Sequence, residues 1–487
     1  PGGLLRTEEL TLPGFKHDVY SAAHPLFLTG PAYADLRYDL ATHGLKYVNT
    51  EWPTGVSLAG GRTAVCSRSI DANIEEFERL APGDGEAFAD IVGELQPYAD
   101  DLYTLFNREL ASVDARRTIA TLMNDGRFAA LVFQNPCVVL DRFSSPEAKA
   151  MLAPWTMRLG RTPVESGGGF CVPLVVFALM SAGMPIPVGG SERLADALVG
   201  LVRQHGGEIR TACEATSIVV RGGRATAVRT ADGALIPVKR AVVASVNPDQ
   251  LYLKLLADAS VDALTHRHAS NYRYGRGCVQ ISVALSEPPR WRDERFKFVG
   301  QPHLSSGSSE GALACAHSML GLLPISPSFT VDCPTDRDPS RAPAGKAILR
   351  IQVLEVPTHP VGDAGCSICV AGEWTDSVKN AFADRVLGIV GQHISNIPDA
   401  IIGVHVVSPR ELAGFSPNLG PGDPYGGAHG LAQSYLLRPL PEYPSHQSVI
   451  SNIHMLGAGT WPGHGINGRS GYVVAQSLLA QAESDSR

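Results

Sequence analysis

Apolar positions along the chain follow two rhythms. From about Asn73 to Leu152 they recur every three or four residues, as in NIEEFERLAPGDGEAFADIVGELQPYADDLYTLF, where Phe88, Ile91, Val92, Leu95, Tyr98 and Leu102 trace one face. That spacing predicts amphipathic helices packed into a mainly helical lobe. A different pattern starts at Gly189. Ser191 is placed to cap a helix whose buried stripe is Leu194, Leu198, Leu201 and Val202, and Gly206-Gly207 is placed to end it. Short strands are expected next: EIRTAC, TSIVVR, RATAVRT, ALIPVK and the buried run AVVAS, with turns at Gly222-Gly223 and Asp232-Gly233. Between 255 and 405, VQISVAL and AILRIQVLEV read as strands and Asp376–Ile394 as an amphipathic helix. Loops then dominate until IHMLGAG, an apolar run halted by glycine, gives way to the helix-like SGYVVAQSLLAQA.

Composition narrows the class. A chain of 487 residues with 44% hydrophobic and 18% charged residues has enough apolar surface for two or three lobes. The formal charge of −7 is spread out and no Lys/Arg block accompanies it, which excludes a nucleic-acid partner. Nine cysteines, odd in number and scattered, point to a reducing cytoplasm and not to a disulfide framework. Cys366 and Cys369 form the one close pair; with no second such pair and no nearby histidine pair, they read as plain strand cysteines, and no metal site is expected. In the uncharged segment 166–191 the longest stretch free of Gly and Pro is Leu174–Ala182, far short of the roughly 20 residues a membrane span needs. It reads as a core helix or the wall of an apolar ligand cavity, with peripheral membrane contact as the alternative.

The stretch GAGTWPGHGING, residues 457–468, carries the chemistry. A strand stopping at Gly457, turning through Gly459 and Gly463 and starting a helix near 465–467 gathers free backbone N–H groups and a positive helix end at one place. Five glycines in twelve positions imply that a flat or bulky, electron-rich ligand comes close to the backbone.

GAGTWPGHGINGRSG resembles the C-terminal flavin motif of the phytoene desaturase-like FAD-dependent oxidoreductases, usually GAGTHPGGGVxGxxG. PGGLLRTEELTLPGFKHDVYSAAHPL and PIPVGGSERLADALVGLVRQHGGEIRT resemble two further stretches of that family, in order along the chain. The resemblance implies an α/β fold: a discontinuous Rossmann-like FAD-binding domain (1–30, 188–254 and 446–487), a mainly helical lid over 31–187 and a β-rich substrate domain over 255–445. It implies FAD, with Gly2, Gly3, Arg6 and Thr7 beside the flavin and its pyrophosphate, and Ala215 and Ser245 on the strands reaching toward the nucleotide. Gly457, Gly459, Thr460, Trp461, Gly465, Ile466 and Asn467 then lie at the flavin ring. Trp461 and His464 depart from the family's His and Gly and would narrow the flavin face or offer it a stacking surface.

The implied activity is dehydrogenation or oxidation of an apolar or amphipathic small molecule by hydride transfer to flavin. Amine-oxidase-like or isomerase chemistry on the same scaffold, or a non-catalytic relic binding a lipid or protein partner, are the alternatives. SPNLGPGDPYGGAHGLAQSYLLRP resembles the family's stretch lining the substrate side; within it His429 is the candidate base, because a neutral imidazole accepts a proton near pH 7, and Tyr425 is the second candidate catalytic residue. Family members open with a strand–GxGxxG–helix fingerprint, and the sequence begins after that point. An upstream segment of the natural protein, loss of the fingerprint, or a separate chain supplying it are the three readings. Finally, Phe177 and Met180 are expected to face an apolar pocket beside Trp461 and His429.

Overall fold

The computed structural model describes residues 2–307 and 309–485, so Pro1 of the opening PGG run lies outside the described residues. Its centre is a seven-stranded sheet in the order Ile401–Val407, Gly277–Leu285, Ala347–Val356, Phe329–Asp332, Val299–Ser305, Trp52–Leu58 and Thr63–Cys66. Every neighbouring pair is antiparallel except Val299–Ser305 with Trp52–Leu58. Two of these strands, Trp52–Leu58 and Thr63–Cys66, come from the segment 31–187 expected to be mainly helical; they sit between its helix Pro31–Thr42 and the run of helices that resumes at Ile70.

Strand alternation gives the sheet two unlike faces. Val279, Ile281, Val283, Phe329, Val331, Leu349, Ile351 and Val353 pack with Phe382, Val386 and Val390 of the helix Asp376–Val390. On the other face Gln280, Ser282, His303, Thr330, Asp332, Arg350 and Gln352 are polar and also buried. That face receives the opening segment. Gln280 Nε2 donates to the carbonyls of Asp18 and Val19, and Arg350 donates to Tyr20 O and pairs with Asp332 at 2.9 Å.

The helical lobe buries Phe88, Ile91, Val92, Leu95 and Leu102 on the face that periodicity predicts. Its uncharged segment forms the helix Cys171–Ala182. Among the described residues no helix is long and apolar enough to cross a membrane.

A smaller unit joins Val242–Ala244 in parallel to Ile453–Met455, beside the meander Ala215–Arg221, Arg224–Thr230 and Leu235–Pro237. The helix Glu192–Gln204 packs on the opening segment, and the helix Arg469–Asp485 closes the chain.

Three expectations are corrected. EIRTAC forms no strand: residues 208–213 are exposed or nearly so and pair with nothing among the described residues, and an isolated strand leaves its backbone groups unbonded. Ser191 does not cap its helix with its side chain; it sits in helical geometry and its hydroxyl meets Ala22 O and His24 Nε2. Cys366 and Cys369 are exposed in a loop, because Asp363 draws the backbone N–H groups of Ser367 and Ile368 and the Arg385 guanidinium into a turn in place of a ladder. All nine cysteines are free.

Candidate active site

The terminal glycine-rich loop runs from Gly457 to Gly468 between the strand Ile453–Met455 and the helix Arg469–Asp485. Its start is pinned twice: Gly457 N donates to Ser470 Oγ, and Thr460 Oγ1 donates to Gly457 O. Its end is pinned by Asn467, whose amide donates to Gly463 O, His464 O and Gly465 O while its Oδ1 accepts from Arg469 N at the helix start. Gly465 has φ +91° and is exposed, a conformation that any side chain would strain. Gly463 has φ +108°, and a Cβ there would stand 2.9 Å from the His429 ring.

Two adjoining cavities of about 440 and 410 Å³ open beside this loop. Leu102, Phe106, Phe170, Ser434, Tyr435 and Trp461 line both. The larger one also meets Phe177, His429, His464, Asn467 and the guanidinium-bearing Arg161, Arg438 and Arg469. Phe177 is where it is expected. Met180 is not: one turn along the same helix from Phe177, it packs against the core of the helical lobe and is absent from the cavity lining.

Trp461 faces the helical lobe. Its ring stacks on Phe106 at 5.0 Å and 17°, and its Nε1 donates to Leu105 O. Its carbonyl accepts from His446 Nε2, and His446 Nδ1 meets Glu109 at 2.9 Å, so a carboxylate of the lobe holds the loop in place. The pattern reading missed this Glu109–His446 link, since the two residues are 337 positions apart.

His429 and His464 form a hydrogen-bonded pair. His464 Nε2 lies 2.6 Å from the carbonyl of Arg158, which can only accept, so that nitrogen carries the proton. His464 Nδ1 is then the acceptor for His429 Nε2 at 3.0 Å, and His429 Nε2 also reaches Tyr425 O at 3.2 Å. The chain leaves His429 Nδ1 as an acceptor with no hydrogen bond among the described residues. Burial, with the nearby Arg438, His464 and Arg161, holds the His429 pKa well below 6.5. Burial brings His464 down to about 4. Both rings are neutral near pH 7. Tyr425 meets His464 edge-on at 4.7 Å; its hydroxyl is buried without a hydrogen-bond partner among the described residues, and burial drives its pKa well above 10.

The opening segment reaches the loop through packing: Leu5 and Ile466 join the cluster of Phe27 and Leu194. A Cβ on Gly3 would meet open space. Arg6 is engaged by Glu8 at 3.1 Å and lies over Phe415. Thr7 is committed to structure, donating to Asp18 and accepting from Glu192 N. Asp18 also takes Ser191 N and pairs with the buried Arg341, so it locks the opening turn to the helix Glu192–Gln204. Ser245 stands against Gly457, its Oγ 3.1 Å from where a Cβ would be, and a Cβ on Gly459 would be 2.9 Å from Asn247. Ala215 is exposed at the start of the meander.

No family model matches the chain. It is 23% identical to one of the subunits of limonene dehydrogenase from Castellaniella defragrans, across 98% of this chain and 88% of that protein. It is 24% identical to hydroxyneurosporene desaturase of Cereibacter sphaeroides, across 100% of this chain and 92% of that one. Among solved structures, an oxidoreductase from Methanosarcina mazei shares the fold with a TM-score of 0.58 at 16% identity, covering 98% of this chain and 92% of that one. Putrescine oxidase bound to putrescine does so at 0.55 and 12%, covering 98% and 91%. The chain is thus similar over nearly its whole length to a dehydrogenase and a desaturase, and it shares the fold of these solved oxidoreductases.

Proposed function

We propose that the protein is an FAD-dependent dehydrogenase or desaturase whose substrate is an apolar or amphipathic small molecule bound in the paired cavities. The observation that carries the reading is an apolar chamber that meets a neutral histidine pair beside a glycine-rich helix entry. The residues fit a flavin. Exposed Gly465 precedes a helix of 17 residues, Gly3 leaves open space, and Ser245 abuts Gly457. Gly465, Ile466 and Asn467 would hold the ring end, and Gly2, Gly3 and Arg6 the ribityl and pyrophosphate end. When bound, a flavin supplies the hydride acceptor.

The chain's own residues bind, orient and exclude water. Phe106, Phe170, Phe177 and Trp461 take an apolar chain out of water, which is favourable in proportion to buried area. The Arg158 carbonyl and His464 fix the tautomer of His429, so its Nδ1 is the atom that accepts a proton from the substrate carbon chain. Tyr425 packs edge-on against His464 and keeps that ring in place. Amine oxidation is disfavoured, because Arg161, Arg438 and Arg469 line the larger cavity and repel a protonated amine.

Anaerobic mixing with a panel of terpenoid hydrocarbons, long-chain acids and amines tests this. Apolar or amphipathic compounds are expected to bleach the flavin, and His429→Gln to slow bleaching by about 10²-fold or more with unchanged flavin content. Bleaching by amines alone would overturn the reading.

A further inference from the structure

The larger cavity is apolar over most of its wall, yet three arginines line it. Arg161 is 3% exposed and its Nη1 has no hydrogen-bond partner; Glu165 Oε1 stands 3.5 Å away and the Tyr435 ring lies under the guanidinium at 5.1 Å. Arg438 is 2% exposed. Its two terminal nitrogens donate to the carbonyls of Ala428, Gln433, Gly426 and Ala458, and its Nε has no partner among the described residues. Arg469 is 8% exposed, donates to Asn107 Oδ1 and reaches Thr29 O, and lies over Tyr103. Among the described residues neither Arg438 nor Arg469 has a carboxylate within ion-pair distance. Asp423, the carboxylate behind Arg438, is held by the backbone N–H groups of Gly275, Tyr425 and Gly427.

A buried charged donor without a partner is costly, and a buried cation without a counter-ion more so. Among the described residues two carboxylates, Glu165 beside Arg161 and Asp423 behind Arg438, stand against three guanidinium groups, and neither of the two lines the cavity. Arg161 Nη1, which has only the 3.5 Å ion pair with Glu165, and Arg438 Nε make no hydrogen bond among the described residues, and both residues line the same cavity as His429. We infer that the substrate is amphipathic and ends in a carboxylate, which Arg161 and Arg438 receive while the apolar chain fills the cavities. The inference rests on the reading of the chamber as a substrate site and names the class of substrate it takes. A charge-assisted bond to guanidinium is about twice as strong as a neutral one, and it fixes which carbon of the chain lies at His429. Arg161 is thus a positioning and specificity residue.

Calorimetric titration of the flavoprotein with dodecanoate, methyl dodecanoate and 1-dodecanol, all below their solubility limits, tests it. The acid is expected to bind about tenfold or more tightly than its ester or alcohol. Arg161→Met should erase that ratio, whereas Arg116→Met, on an exposed face of the helical lobe, should keep it. Equal affinity for acid and ester in the unaltered protein would overturn the inference. So would an unchanged ratio in folded Arg161→Met. Should that variant not fold, Arg161→Lys keeps the charge without the fork, and there too the ratio is expected to fall; an unchanged one would count against the proposal. Failure of the dehydrogenase reading shows differently, as absence of flavin bleaching by any compound, and leaves the acid-to-ester ratio measurable.

Discussion

The two faces of the central sheet are made by the same strands and are equally buried, yet they are chemically opposite. One is closed by Phe382, Val386 and Val390 and holds by area alone. The other is closed by polar pairing: Arg350 with Asp332, Gln280 with the opening segment, and Arg158 with Gln352 and Thr330. It also keeps atoms without a hydrogen bond among the described residues, both nitrogens of His303 and Nε of Arg158. A strand that alternates apolar and polar residues usually turns its polar side to water. Here that side is turned inward, and its helix Pro146–Arg158 delivers the carbonyl that orients His464. Burying polar groups on one side of a sheet costs stability, and the functional loop is attached to that side.

This contrast can be broken by substitution. Phe382→Ala should cost about 3–5 kcal/mol in denaturant unfolding, while folded molecules keep their flavin and ligand affinity, because the lost contacts lie wholly on the apolar face. Thr330→Val on the polar face removes an acceptor of Arg158 and should cost about 1–3 kcal/mol. Unlike Phe382→Ala it should also alter flavin reduction, since Arg158 bonds to His464 through its carbonyl. If both variants changed only stability, the two faces would be equivalent.

Acid sharpens the comparison with a smaller effect. Burial lowers His17, His24, His393 and His464 to about 4 each. Between pH 4 and about 6.5 the unfolded chain binds more protons at these sites, so stability is full above about pH 6.5 and falls on acidification. Asp336, raised by burial to about 6, opposes this, as do Glu310, Asp332, Glu355 and Asp423, which burial also raises. Against these five carboxyls stand eight histidines lowered by burial, the four above with His303, His405, His429 and His454. The midpoint of unfolding should therefore drop from pH 7 to pH 5, and His24→Gln should flatten the drop. A flat profile in the unaltered protein would contradict the burial of these rings. The smallest effect belongs to the exposed Arg6–Glu8 pair, where Glu8→Gln should change stability by less than about 1 kcal/mol.

Much of this was legible in sequence. Helical periodicity found the face of Phe88, Ile91, Leu95 and Leu102, and the run of glycines located the loop that meets the cavity. His429 was placed beside the chamber by its motif. What periodicity could not give is pairing between distant segments: the Arg158–His464 bond spans 306 positions and the Glu109–His446 pair 337. EIRTAC shows the same limit, for a strand is decided by its neighbour as much as by its own residues. Met180 lies one turn from Phe177 at the edge of the lining, against the lobe core, and the nearly uniform apolarity of Leu174–Ala182 does not mark where the chamber wall ends and the core begins. The buried arginines did leave a signal, since Arg158 and Arg161 follow an apolar helix end directly, but charge alone did not mark them as interior.

The central claim is that the glycine-rich loop holds a flavin against the histidine pair. The direct measurement is the bound-flavin content of the full gene product and of Gly465→Val, read by absorbance after purification, with circular dichroism to establish folding. The account predicts a yellow protein with about one flavin per chain, and a folded, colourless Gly465→Val, because a side chain at φ +91° distorts the backbone at the ring. A folded Gly465→Val that keeps its full flavin content would contradict it.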